Sequence, residues 1–409
     1  VIRFAAVLAL LGAAENSDWS QFRGPSRDGI SPDTGLLKQW PSGGPPLAWK
    51  SEGIGTGYSS VCVSGTRLYL TGDVEGASML FALGAADGKI AWKAKIGAPG
   101  GNRGNGGRGT PATDGTLVFA LGQSGELVCA EAETGKIRWQ KSLERDFGGK
   151  RPNWWWSESP LLDGDLVICT PGGRQGTVLA LKKATGETVW QSKELTDEAH
   201  YTSLMPVEIG AVRQYLVFTA ASVAGIGAKD GKLLWRHARE GKTAIVSTPL
   251  YKDGIVFVSS GYRVGCNGFQ VTAAGGSFKA EQVYSGNQME NHHGGLILVG
   301  DHVYGVHDGG MLKCLELKTG KELWAGPRLG KGSIAYADGH IVYRSEDTRS
   351  GTVALVEVSP AGYKEKGQFS LTDPALEQRT MIWPHPVVFG GKLYLRNQNV
   401  LYCYDVKAK

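Results

Sequence analysis

Cysteine is scarce in this chain and badly placed for cross-linking. Six cysteines are spread over 409 residues, none adjacent to another and none in a CxxC or CxxCH arrangement. That pattern excludes a dithiol redox motif and a c-type haem attachment site. Cys129, Cys314 and Cys403 stand in matching phrases, "LVCAEAETG", "LKCLELKTG" and "LYCYDVK". Equivalent positions in separate repeats lie too far apart to be bridged. Buried free thiols acting as small apolar residues are therefore expected, even in an exported chain.

Other features are also missing. The net charge is only +5, and no block of lysine or arginine is present, which excludes a nucleic-acid-binding tract. No GxSxG elbow, P-loop, dinucleotide fingerprint or HExxH spacing occurs in a suitable context. The apolar run from Phe4 to Leu11 follows Arg3 and leads into small residues up to Ala14. It is too short to span a bilayer and reads as a signal peptide over 1–14, cleaved after Ala13 or Ala14. A lipid-attachment cysteine is lacking where Ala14 stands. These features predict a monomeric periplasmic or secreted protein with no membrane span and no nucleic-acid partner.

What the chain does have is glycine, tryptophan and repetition. One phrase returns as "ADGKIAW" ending at Trp92, "ETGKIRW" at Trp139, "ATGETVW" at Trp190, "KDGKLLW" at Trp235 and "KTGKELW" at Trp324. A glycine four residues before each tryptophan can take positive φ, so the phrase predicts a hairpin turn returning as a strand. The apolar residue two before the tryptophan (Ile90, Ile137, Leu233) is expected on the same strand face. A degraded copy, "TAAGGSFKAEQ", puts Lys279 at the tryptophan position.

A second hairpin, with turn glycines at Gly65, Gly115, Gly164, Gly210, Gly254, Gly300, Gly339 and Gly390, marks eight units. Four short antiparallel strands per unit predict an all-β, eight-bladed β-propeller over 46–409, preceded by an extended Pro/Gly-rich leader over 15–45. The last unit lacks an outer strand, whereas "PPLAWK" with Trp49 stands unassigned before the first. Residues 46–50 are therefore expected to complete the last blade and close the ring.

The phrase A-x-D/E-x-x-T-G-K-x-x-W resembles the repeat of the pyrroloquinoline-quinone (PQQ)-type eight-bladed propellers, and "DWSQFRGPSRDGISPDTGLLKQWP" is similar to the leader of exported bacterial PQQ-like repeat proteins. The resemblance implies one of two functions. One is a non-catalytic scaffold that binds a protein or small ligand through its channel face. The other is a quinoprotein alcohol or sugar dehydrogenase using PQQ with Ca²⁺. Such dehydrogenases carry an adjacent Cys–Cys pair and a Glu/Asn/Asp calcium set, which cannot be mapped onto this chain.

In a propeller the loop entering each innermost strand opens on one face. Those segments here are "GYSSV", "GRGTP", "WSESP", "HYTSLMP", "VSTPL", "NHHGG", "KGSIA" and "WPHPV". They nominate Trp155, Trp156, Glu158, His200, Tyr201, Asn291, His292, His293, Trp383 and His385 as ligand-binding residues at the channel mouth. Arg108 and Arg344 join them as loop cations suited to a carboxylate. In "RPNWWWSESP" one or two of the three tryptophans are expected to cover the rim or stack on a flat ligand, with the third packed against a neighbouring loop; the alternative is a loop plug that seals the top of the barrel. His and carboxylate together also suit a metal or an acid–base pair, although His292 and His293 should point to opposite faces of a strand.

Overall fold

The computed structural model describes residues 18–101, 106–372 and 381–409; the signal-peptide segment 1–14 lies outside them. Eight four-stranded antiparallel sheets follow one another along the chain as blades 1 (62–97), 2 (112–142), 3 (161–191), 4 (205–238), 5 (250–286), 6 (296–328), 7 (332–370) and 8 (387–405). Blade 8 borrows its outer strand, Leu47–Glu52, from the front of the chain, with Trp49 opposite Cys403. The ring is closed as the repeat spacing predicts. All eight inner-hairpin glycines hold φ between +54° and +90°, a region costly for any residue with a Cβ. The six cysteines are free and buried.

The repeated phrase works as a knob and a socket. Trp92 of blade 1 donates its indole N–H to Ala132 O of blade 2 (3.1 Å), Trp139 to Lys183 O of blade 3 (2.8 Å) and Trp190 to Ala228 O of blade 4 (3.2 Å). Trp324 does the same to Ser359 O (2.9 Å), and Trp49 crosses the closure to Ala85 O (3.2 Å). The rings of Trp49, Trp92, Trp139 and Trp190 lie on the turn glycines of the next blade. A Cβ on Gly231 would sit 2.5 Å from Trp190, and one on Gly135 2.5 Å from Trp92. The turns of blades 2 and 3 thus each receive one tryptophan and send their own into the next turn.

Two expectations about this phrase are corrected. A β-bulge separates each tryptophan from the apolar residue two before it, as between Ile137 and Trp139. The extra residue reverses the alternation, so Ile137 packs into the seam between blades 1 and 2 and Trp139 into that between blades 2 and 3. Lys279 does not occupy the tryptophan position of blade 5. The outer hairpin there is lengthened to Gly265–Ala274 and Ser277–Gly286, which carries Lys279 towards its tip. Tyr284, paired with Gly268, takes the knob position instead and donates to Leu317 O of blade 6. With the blade 5 turn displaced, Trp235 donates to Gln214 Oε1 of its own blade (2.9 Å).

The leader is not a loose preface. It runs along the turn-glycine end of the channel, where Trp19 O accepts Val63 N–H of blade 1 and Ser20 O accepts Thr113 N–H of blade 2 (both 2.8 Å). Gln21 Oε1 accepts Leu162 N–H of blade 3 (3.1 Å). Arg27, fully buried, donates to Ser159 O and Pro160 O (both 3.0 Å) and to Leu204 O (2.8 Å). Arg23 donates to Leu296 O of blade 6. Ile30–Ser31 then pairs in parallel with the inner strand of blade 7, and Leu37 N–H reaches Val406 O beyond blade 8. Burial lowers the Arg27 pKa to about 9 and that of Arg23 to about 10, so both stay charged at neutral pH.

Glu158, buried beside this hub, is held by the Thr170 backbone N–H. Desolvation raises its pKa to about 7, against the opposing pull of that hydrogen bond and of Arg27. Its proton is therefore retained in the folded state and lost in the unfolded one between about 4.5 and about 7, so its contribution to stability falls as pH rises through that window.

Three outcomes follow for denaturant unfolding. Trp190→Ala should cost about 3–5 kcal/mol. Arg27→Leu, which strands three buried carbonyls, should cost about 3 kcal/mol or more. Glu158→Gln should gain stability relative to wild type at pH 8 but not at pH 5, and equal behaviour at both pH values would refute the assigned cause.

Candidate functional site: the channel mouth

At the end opposite the turn glycines, the entry segments are tied to one another by hydroxyls. Ser60 N–H donates to Thr110 Oγ1 (3.1 Å), Thr110 N–H to Ser159 Oγ (2.9 Å) and Ser159 N–H to Ser203 Oγ (2.9 Å). His385 N–H returns to Ser60 Oγ (2.9 Å), carrying the chain of bonds across the ring closure. Above this collar lies a cavity of about 250 Å³. These serines and threonines recur visibly in the entry segments, but only the ring shows that they bond between blades.

The cavity wall is aromatic. Tyr58 and Trp383 lie with ring centroids 4.5 Å apart, Trp383 and His293 5.5 Å, His293 and His292 5.0 Å, and His292 and Tyr262 4.8 Å. On the far side Trp154 meets Tyr201 edge-on at 5.9 Å. Arg108 is the one cation among the described lining residues, and its guanidinium lies 5.4 Å from the Tyr58 ring centre and 5.7 Å from that of Trp383.

Burial sets the charge of this wall. His385 is lowered to about 3 by desolvation, with Arg23 adding to the effect, and His292 to about 4 by desolvation and the nearby Lys331. His293, only 8% exposed, is held well below the usual imidazole range, first by desolvation and then by its histidine neighbours. All three rings are neutral at pH 7. Glu346 Oε2 lies 3.3 Å from His293 Nε2 but accepts its hydrogen bond from Trp383 Nε1 (2.9 Å). Both His293 ring nitrogens are left without a hydrogen-bond partner.

Of the nominated residues, Arg108, Tyr201, His292, His293, Trp383 and His385 come together in the cavity. The others lie elsewhere. Trp156 is buried in the seam between blades 2 and 3, and Trp155 stacks on Arg151 at 4.3 Å. His200 Nδ1 accepts Ile245 N–H (3.2 Å). Glu158 is buried as described, and Asn291 spans Gly295 O (3.2 Å) and Val306 O (2.9 Å). Arg344 is not a loop cation: it sits within the strand His340–Ser345, buried, and donates to Leu371 O (3.2 Å) and Asn397 Oδ1 (2.9 Å).

The three tryptophans diverge because Trp155 takes a left-handed backbone, φ +66°, which breaks the alternation of an extended chain. Trp154 is thereby turned to the cavity. His292 and His293 sit in a bend before the strand Leu296–Val299 rather than in it, so both rings reach the same cavity. Tyr58 and Tyr262 were legible in principle, since both stand in segments opening on this face. Phe22 was not, because the leader lies outside the repeat.

The described lining residues include no carboxylate and no thiol, and among the described residues no group of three or more His, Cys, Asp or Glu is placed to hold a metal ion. Calcium takes six to eight oxygen ligands, carboxylates prominent among them. These residues therefore do not fit a calcium–quinone centre.

A protein-family profile described as "Outer membrane protein assembly factor BamB" matches residues 76–326. A Yersinia pestis protein of that name is 22% identical over 184 residues, covering 43% of this chain and 42% of its own length, so the match spans less than half of that relative. Among solved structures, BamB from Moraxella catarrhalis aligns with a TM-score of 0.61 at 17% identity over 86% of this chain and 95% of its own. The quinohemoprotein alcohol dehydrogenase ADHIIG from Pseudomonas putida aligns at 0.52 and 13% identity, over 97% of this chain and 81% of its own. At these identities the structures establish the fold alone. The profile match covers most of blades 1 to 6, and the chain belongs to the PQQ-repeat β-propeller family described as outer membrane protein assembly factor BamB.

Proposed function

We propose that this chain is an exported, non-catalytic binding module that uses the cavity at its channel mouth to hold a small, flat, anionic group. The observation that carries this reading is the lining itself. Aromatic faces, neutral imidazoles and the guanidinium of Arg108 meet there, and the described lining residues include no carboxylate or metal-binding set. Flat π-faces offer stacking, and Arg108 offers a charge-assisted contact to a carboxylate.

The family description favours one extension of this reading. An assembly factor works on proteins, so a partner protein presenting an acidic or aromatic side chain is a second source of the guest. A quinone-dependent dehydrogenase is supported only by the shared fold.

Titration of the purified protein with 2-naphthoate, followed by tryptophan fluorescence, is expected to give saturable quenching. Trp383→Ala and Arg108→Gln should each weaken it about tenfold, or roughly 1.4 kcal/mol. Neither His385 nor His292 should change affinity between pH 5 and 8, because they take up protons only near about 3 and about 4. Absence of binding by any aromatic carboxylate refutes the reading. Dye-linked alcohol oxidation after addition of PQQ and Ca²⁺ would replace it with the dehydrogenase.

A further inference from the structure

One part of the cavity belongs to no blade. Phe22 of the leader lines it, half-buried, with its ring centroid 5.2 Å from that of His385. The residues beside Phe22 are buried and anchored to different blades: Gln21 to Leu162 of blade 3, Arg23 to Leu296 of blade 6. Arg27 fixes the following turn to Ser159, Pro160 and Leu204. Gly29 and Ile30 continue on to blade 7. Ser26, four residues beyond Phe22, is exposed and takes no part in the cavity. The short segment from Phe22 to Ser26 therefore passes from the cavity to solvent on its other side.

A propeller channel without such a segment is open at both ends. Here the leader crosses it at the level of the inner strands, and its central residues are held by main-chain carbonyls that surround the axis. Swinging Phe22 aside would strand the buried guanidiniums of Arg23 and Arg27, a change too costly to accompany ordinary ligand entry.

We infer that the leader plugs the channel and that Phe22 is the floor of the cavity, a specificity-determining residue that limits how deep a guest can reach. The plug follows from the path of the leader; its consequence for guests rests on the binding function proposed above.

The six native cysteines are buried and carry raised thiol pKa values, so they should be silent towards a small methanethiosulfonate reagent. Thiols introduced by Phe22→Cys and, separately, by Ser26→Cys in the full chain should both react. Adding Val246→Trp, which narrows the cavity wall, should slow the first about tenfold and leave the second unchanged. If the Phe22→Cys thiol is inert, or reacts at a rate indifferent to Val246→Trp, the floor assignment is overturned.

A second variant tests depth without a thiol. Phe22→Ala should shift preference about tenfold from 2-naphthoate towards the longer biphenyl-4-carboxylate; an unchanged preference in a protein that binds either probe refutes the specificity role. If the labelling pattern holds but neither probe binds the wild type, the proposed binding function fails and the plug stands.

Discussion

The ring depends on one contact made again and again: an indole from one blade lying on the outer turn of the next, its N–H on that turn's carbonyl. A four-stranded blade alone leaves both faces exposed and cannot be stable in water. The contact requires a glycine under the ring, because a Cβ at Gly88, Gly135 or Gly231 would come within about 2.5 Å of the indole. It also requires the bulge, which directs the tryptophan forward into one seam while its apolar neighbour faces back into the other. Where the phrase degenerates in blade 5, Tyr284 preserves the contact with a phenol in place of an indole.

The leader adds a constraint of another kind. The blades meet only their neighbours, whereas the segment from Trp19 to Leu37 bonds to inner strands or adjoining loops of blades 1, 2, 3, 4, 6, 7 and 8. Arg23 and Arg27 make this hub expensive to take apart, since each would leave buried carbonyls without donors. They also act on the site. The charge of Arg23 helps keep His385 neutral, and the position of Phe22 follows from theirs. Structural closure and cavity shape are thus set by the same few residues.

The chemistry of the mouth follows from desolvation more than from any particular partner. Three histidines packed against aromatic rings cannot readily hold a proton, and the Arg108 guanidinium over Tyr58 and Trp383 supplies positive charge. Neutral imidazoles beside flat walls suit recognition. The fold shared with an alcohol dehydrogenase does not by itself supply a catalytic site.

The sequence by itself determined the number of blades, the turn glycines and the borrowed closing strand, because these rest on local, periodic signals: positive φ at a turn and a tryptophan at fixed distance from it. It also placed Tyr201, Trp383 and the histidines on one face, since their segments share a position in the repeat. Tertiary structure decided the rest. The left-handed Trp155 sends three adjacent indoles in three directions, Arg344 turns inward between blades, and Phe22 enters from outside the repeat altogether. Periodicity reports which strand a residue belongs to, but the direction of its side chain in an irregular loop, and the path of a segment that repeats nothing, are fixed only by what packs around them.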